Sequence, residues 1–228
     1  MVDARVKRAL ARRQRARIGV GLFCATLHAA CAAQPGPARS PAAANGSAEA
    51  PPATGFGAGL RTIEARGQGL AFPLPDPAGW RRDTREQHSW VALHQRSSSR
   101  LVVRAWRFDG IPGADGCERQ ARLWRKDLPQ LAPSELVAQS ERLLAGAYRA
   151  RITVGVREAA SSTPERLVGS ALGFGSDARE CLMIAFSTSA AGPGARRVIA
   201  ERLAAIAGTV FERARRLRIE ERVSVPPL

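Results

Sequence analysis

The chain has 228 residues, 45% of them apolar, which is enough for one buried core with appendages and too many for a chain disordered throughout. A formal charge of +15 points toward an anionic partner, nucleic acid or membrane, but seven cations (Arg5, Lys7, Arg8, Arg12, Arg13, Arg15, Arg17) and one anion, Asp3, precede residue 31. The remainder holds 28 cations and 19 anions, a net +9, and with Lys7 and Lys126 the only lysines this arginine-borne charge reflects a GC-rich coding bias as much as a ligand.

The first thirty residues have the three-part order of an export signal: a cationic front (5–17), an apolar run (18–30), then small residues around Cys31. The apolar run is shorter than the roughly 20 residues a spanning helix needs. The positive front stays on the cytoplasmic side and the rest of the chain follows the run across. Arg12-Arg13 is no twin-arginine signal, because Gln14 and Arg15 follow it. Leu27-His28-Ala29-Ala30-Cys31 resembles the lipobox of bacterial lipoproteins, although His28 stands where that motif has an apolar residue. The resemblance implies a lipidated Cys31 and a membrane anchor facing the periplasm or in the outer membrane. Ordinary signal-peptidase cleavage beside Ala30 or Ala32 is the alternative, and would leave a soluble periplasmic or secreted protein.

Residues 32–59 are almost all Ala, Pro, Gly, Ser, Thr or Asn without hydrophobic period, so burial cannot offset their ordering entropy. As a flexible coil this tether would span about 30 Å. The expected organisation is a signal peptide at 1–30, an anchor cysteine and tether at 31–59, an α+β domain at 60–219 and a tail at 220–228.

Within the domain, 70–72 reads as a short strand that ends at Pro73-Leu74-Pro75-Asp76-Pro77, whose missing amide hydrogens bar a central sheet position. Residues 89–94 and 100–108 read as a hairpin with Leu101, Val103 and Ala105 on one face. Cys117, Ala121, Trp124 and Leu128 form one helical stripe before Pro129. Residues 136–144 and 148–157 form a second hairpin through Ala145-Gly146. Here Tyr148, Ala150, Ile152, Val154 and Val156 face inward, and Arg149, Arg151, Thr153 and Arg157 face outward. Residues 167–174 and 181–187 form a third around Gly175-Ser176-Asp177, and the unbroken apolar run 181–186 predicts a central strand covered on both faces. A last helix begins near Pro193, carries Ile199, Leu203, Ile206 and Val210 on one side, and ends in Arg213, Arg215 and Arg216, which suit the negative end of the helix dipole.

Of four cysteines, Cys24 leaves with the signal and Cys31 is either lipidated or removed, so Cys117 and Cys181 remain in an oxidising compartment. A helix packed on the central strand would bring them within disulfide range, so they are expected to pair, closing a loop worth about 4 kcal/mol in the chain-entropy model; two separate buried thiols are the alternative. No CxxC spacing lowers a thiol pKa for redox work.

The search for chemistry returns little. His88 and His94 are too few for a zinc site and read as surface residues of a strand. Residues 169–175 contain neither GxSxG nor a P-loop. No catalytic, cofactor or metal site is therefore predicted. The row Arg149, Arg151 and Arg157 is either an anion-binding strip for lipid headgroups or acidic polysaccharide, or the wet side of a sheet. Nucleic acid is disfavoured by the export signal.

The order of these elements, with Phe72-Pro73-Leu74-Pro75 and Gly79-Trp80 at the opening of the domain, resembles the PsbP-like, DcrB-like α/β sandwich. That resemblance implies an accessory, assembly or protein-binding role without a catalytic centre. A carrier of a small apolar ligand and a hydrolase with an unrecognised site are the other readings. An exposed apolar or basic patch favours the first, an enclosed apolar cavity the second, and convergent polar groups with perturbed pKa the third.

Overall fold

A computed structural model describes residues 55–159 and 166–218; the export signal, Cys31, most of the tether and the C-terminal tail lie outside the described residues. In chain order the elements are β1 (Leu60–Ala65), β2 (Leu70–Pro75), β3 (Trp80–Arg82), β4 (Trp90–His94), β5 (Ser99–Arg107), α1 (Ala114–Trp124), β6 (Leu136–Leu144), β7 (Tyr148–Glu158), β8 (Arg166–Asp177), β9 (Glu180–Ala191), α2 (Ala195–Ile206) and β10 (Arg215–Arg216). Seven strands form one sheet in the order β3-β4-β5-β9-β8-β7-β6, and β1-β2-β10 form a second. Every pairing is antiparallel. The sequence pattern predicts an α+β fold with a mainly antiparallel sheet of about six or seven strands packed with two principal helices, and the structure has it with seven; the small second sheet is an addition.

Strand β9 is the middle of the large sheet, and its apolar run is continuous because each face meets a different layer. Leu182, Ile184 and Phe186 join Leu101 and Val103 of β5 and Ile152 of β7, packed with Ile199, Leu203 and Ile206 of α2 and Leu70, Phe72 and Leu74 of β2. Met183 and Ala185 face the other way, with Val102, Leu172, Phe174, Ala121 of α1 and Leu128. The α1 layer is thin, and the bridge Cys117–Cys181, with Cα atoms 5.5 Å apart, fastens it to the sheet as expected.

The glycines of β8 admit the α2 layer. A Cβ on Gly169 would stand 2.3 Å from Ile199 Cγ2, and one on Gly173 would stand 2.9 Å from Phe211. The helix continues past α2 as a π-type turn, Ala207–Phe211, which carries Val210 and Phe211 into the core.

Several boundaries differ from the sequence reading for identifiable reasons. Strand β2 runs through Pro73 to Pro75 paired with β1, and it is flanked on its other side by β10 only at Leu70 and Ala71, so the proline amides are never asked to donate to a second neighbour. The β8–β9 turn lies at Ala178-Arg179, with Asp177 opposite Glu180, beyond the glycine that seemed to mark it. Helix α1 stops at Trp124, and Leu128 is buried from the loop that follows. Phe56, read as tether, packs on the core beside Trp80, His94 and Phe186.

Candidate functional site

The two ends of the large sheet are unequal. β3 is three residues long and carries Arg81 and Arg82, a short charged edge of the kind that resists further pairing. β6 has nine residues, pairs with β7 on one side and has no second strand partner among the described residues. A register shift between Leu136 and Ala138 leaves 138–144 regular. Leu136, Val137 and Leu143 are exposed large apolar side chains, Val137 at 65% and Leu143 at 58%.

An open groove of about 620 Å³ runs beside this edge, lined by Pro112 to Asp115 at the start of α1, by Glu141, Arg142 and Leu143 of β6, and by Arg149 and Arg151 of β7. It collects two of the three arginines of the expected strip. Arg151, however, is paired with Asp115 and with Glu118, the latter at 3.0 Å. Its side of the sheet is therefore covered by α1 and is not simply wet. Arg149 has no ion-pair partner among the described residues. Arg157 is eight residues further along the strand and lines a separate groove with Glu135, Glu158 and Arg196. The three share one face of β7 and line two separate grooves. Arg216, read as a dipole partner, instead bonds Asp177 at 2.7 Å and Glu180 at 3.1 Å, and lies 4.3 Å over the Tyr148 ring. Burial pushes the Tyr148 phenol up.

The sequence reading put His94 at the surface; it is 2% exposed and is the centre of a polar chain. Its Nδ1 accepts from the Ser97 amide at 3.2 Å, so the ring proton sits on Nε2 and is donated to Asp76 Oδ2 at 2.9 Å. Ser97 Oγ lies 2.7 Å from Nδ1 and 2.7 Å from Ser99 Oγ. Ser99 in turn donates to Thr188 Oγ1 at 2.8 Å. Arg202 closes the chain, with Nη1 donating to Ser97 O, Thr188 Oγ1 and Ser189 O at 2.9 to 3.1 Å.

The signal for this cluster was the phrase around Asp76. Flanked by Pro75 and Pro77, Asp76 is held at φ 48°, a left-handed conformation costly for a residue with a side chain. That geometry aims its carboxylate at His94 and at the Gly57 amide, 2.8 Å away. Burial alone would raise its pKa, but the His94 hydrogen bond and the amides of Gly57 and Gly79 outweigh it and hold the carboxyl below the usual carboxylate range. Gly79 is required because a Cβ there would lie 1.9 Å from His94 Nε2. Asp76, His94 and Ser97 have the residue types of a hydrolytic triad. Yet Ser97 is buried and its hydroxyl is shared with Ser99, while the rings of Phe56 and Trp80 pack on His94 at 5.3 and 5.2 Å. A nucleophile needs an open approach to substrate; this one braces a core.

No group of His, Cys, Asp and Glu that could hold a metal ion occurs among the described residues. No helix among them is long and apolar enough to cross a membrane.

The fold by itself defines a class: an antiparallel α+β fold with, among the described residues, two α-helices and ten strands in two sheets. No protein-family model matches the chain. No curated protein matches it either. Solved structures do match in fold, including a protein of Bacteroides thetaiotaomicron at 10% identity and a TM-score of 0.39, covering 70% of this chain and 49% of that one, so that this chain spans about half its length. The Ran-binding protein Mog1p of Saccharomyces cerevisiae matches at 10% identity and a TM-score of 0.42, covering 64% of this chain and 85% of that one. LpqN of Mycobacterium tuberculosis, described as involved in cell envelope biogenesis, matches at 14% identity and a TM-score of 0.40, covering 70% and 91%.

Proposed function

We propose that this chain is an exported, envelope-tethered, non-catalytic module that binds another protein through the β6 edge of its large sheet. The observation that carries the reading is that edge: nine residues of strand with no second strand partner among the described residues, three exposed apolar side chains and a groove along it. Main-chain groups on such an edge give affinity to an added strand, and alternate side chains give it selectivity. The tripartite leader and Cys31 support export and lipid anchoring, and the 72–80 phrase with the order of elements supports the PsbP-like, DcrB-like assignment and its accessory role. The grooves at β6 and at Arg157 are open and lined with charged residues, which does not favour the carrier of an apolar ligand.

A photo-crosslinking residue at Val137 or Leu143, expressed in the native envelope, is expected to capture a protein there, whereas one at exposed Arg61 captures none. No adduct at either β6 position would overturn the reading. Intact mass of the mature N-terminus tests the anchor separately, since an unacylated Cys31, or its absence, would leave the module untethered.

A further inference from the structure

Deepening the edge-binding reading, on which this inference rests, we infer that the occupant of the β6 edge is a second copy of the same chain, joined antiparallel about a two-fold axis through Ser140.

A two-fold axis normal to the sheet sets side chains of the same face opposite one another, so the register must centre on a residue. Centred on Glu141 it opposes Glu141 to its own copy, and centred on Arg142 it opposes two arginines; like charges directly across a ladder destabilise it. Centred on Ser140 every opposition in the regular stretch is compatible, since Gln139 meets Glu141 and Ala138 meets Arg142, and at both ends Leu143 comes beside Val137, where the register of the strand shifts. The last pair brings together the two most exposed large apolar side chains of the strand. In the register with β7, Gln139, Glu141 and Leu143 stand opposite Thr153, Arg151 and Arg149, on the α1 side of the sheet.

The local charge supports a copy of the chain over an acidic partner. Although residues 31–228 carry a net +9, the charged groups around this edge are Arg142, Arg149 and Arg151 against Asp115, Glu118, Glu141 and Glu212. Glu212 bonds Arg142 at 3.2 Å, so each edge arrives nearly neutral. Strand addition would continue one sheet across two copies and cover the long edge that natural sheets otherwise shorten or charge.

The test uses the exported, oxidised chain carrying Cys31→Ser, so that no acyl group drives association. Light scattering is expected to give twice the chain mass. Val137→Lys with Leu143→Lys sets lysines opposite one another at both ends and is expected to give single-chain mass with unchanged far-UV spectrum and melting. Val137→Lys with Leu143→Glu sets Lys opposite Glu and is expected to restore the doubled mass. Ser140→Cys is expected to form an inter-chain disulfide, visible as a doubled band without reductant. Single-chain mass in the unsubstituted protein would overturn the inference. If crosslinkers at Val137 and Leu143 then still capture a different envelope protein, the edge-binding reading stands without it. If they capture only another segment of their own chain, both fall. A dimer insensitive to both double substitutions would place the contact elsewhere and overturn the inference as well.

Discussion

His94 and Asp76 hold each other in place, and the aromatic rings of Phe56 and Trp80 pack on the buried imidazole. Removing one partner leaves a buried polar group unsatisfied, so His94→Ala is expected to cost about 3 kcal/mol in urea unfolding. Gly79→Ala should do comparable harm by expelling the ring, since its new methyl would overlap Nε2. The pH dependence has a definite sign. The folded state lowers the Asp76 pKa from its ordinary 3.8, so the carboxylate stabilises the fold fully above that value, and the contribution is lost as pH falls through 3.8 toward the lowered one. Melting temperature measured from neutral pH downward should drop more steeply below pH ~4 in the wild type than in Asp76→Asn, which starts lower and lacks this titration. Parallel curves would show that Asp76 carries no linked stability. None of this is legible in a count of histidines: without metal-ligand spacing a strand histidine reads as a surface residue, while the left-handed Asp76 that bonds it lies eighteen residues away.

At the scale of elements, α1 depends on its bridge. Its buried residues are Cys117 and Ala121, whereas α2 buries six, including Val198, Ile199, Leu203 and Ile206. Cys117→Ser with Cys181→Ser should therefore lower stability by about 4 kcal/mol for a bridge spanning 64 residues. Hydrogen exchange should show α1 opening first and β9 last. Equal protection of α1 with and without the bridge would refute this dependence. Gly169→Ala should cost about 1–3 kcal/mol through the clash with Ile199, a packing penalty that a sequence reader sees only as a glycine-rich strand. The strands themselves were readable because period-two alternation records which face is buried, as in Tyr148 to Val156, and because an apolar run without alternation records two covered faces, as in β9. The ends of elements were not, because they are set by partners distant in sequence: the β8–β9 turn falls where Asp177 meets Glu180 and Arg216, and β2 extends through its prolines because β1 accepts them on one side. The partners of the arginine row were hidden for the same reason, since the composition of β7 does not announce that α1 will supply Asp115 and Glu118 to Arg151.

For the whole molecule, the leader and the bridge make one linked expectation. A chain lacking residues 1–30 is expected to stay in the reducing cytosol with Cys117 and Cys181 free, and to melt below the exported form until oxidised. Thiol alkylation followed by mass measurement reads this directly, and two alkylated cysteines in the exported protein would contradict it. The large sheet is also built from hairpins whose pairing a one-residue slip could satisfy locally. Arg202 restricts that freedom. Its guanidinium is buried with no ion-pair partner among the described residues and rests on the carbonyls of Ser97 and Ser189 and the hydroxyl of Thr188, three points brought together only when β5 and β9 meet with Ser99 opposite Thr188. A shifted pairing would strand a permanent cation in hydrocarbon. One residue thereby audits the alignment of segments 89 positions apart, and a misaligned pairing is penalised at the step in which α2 docks.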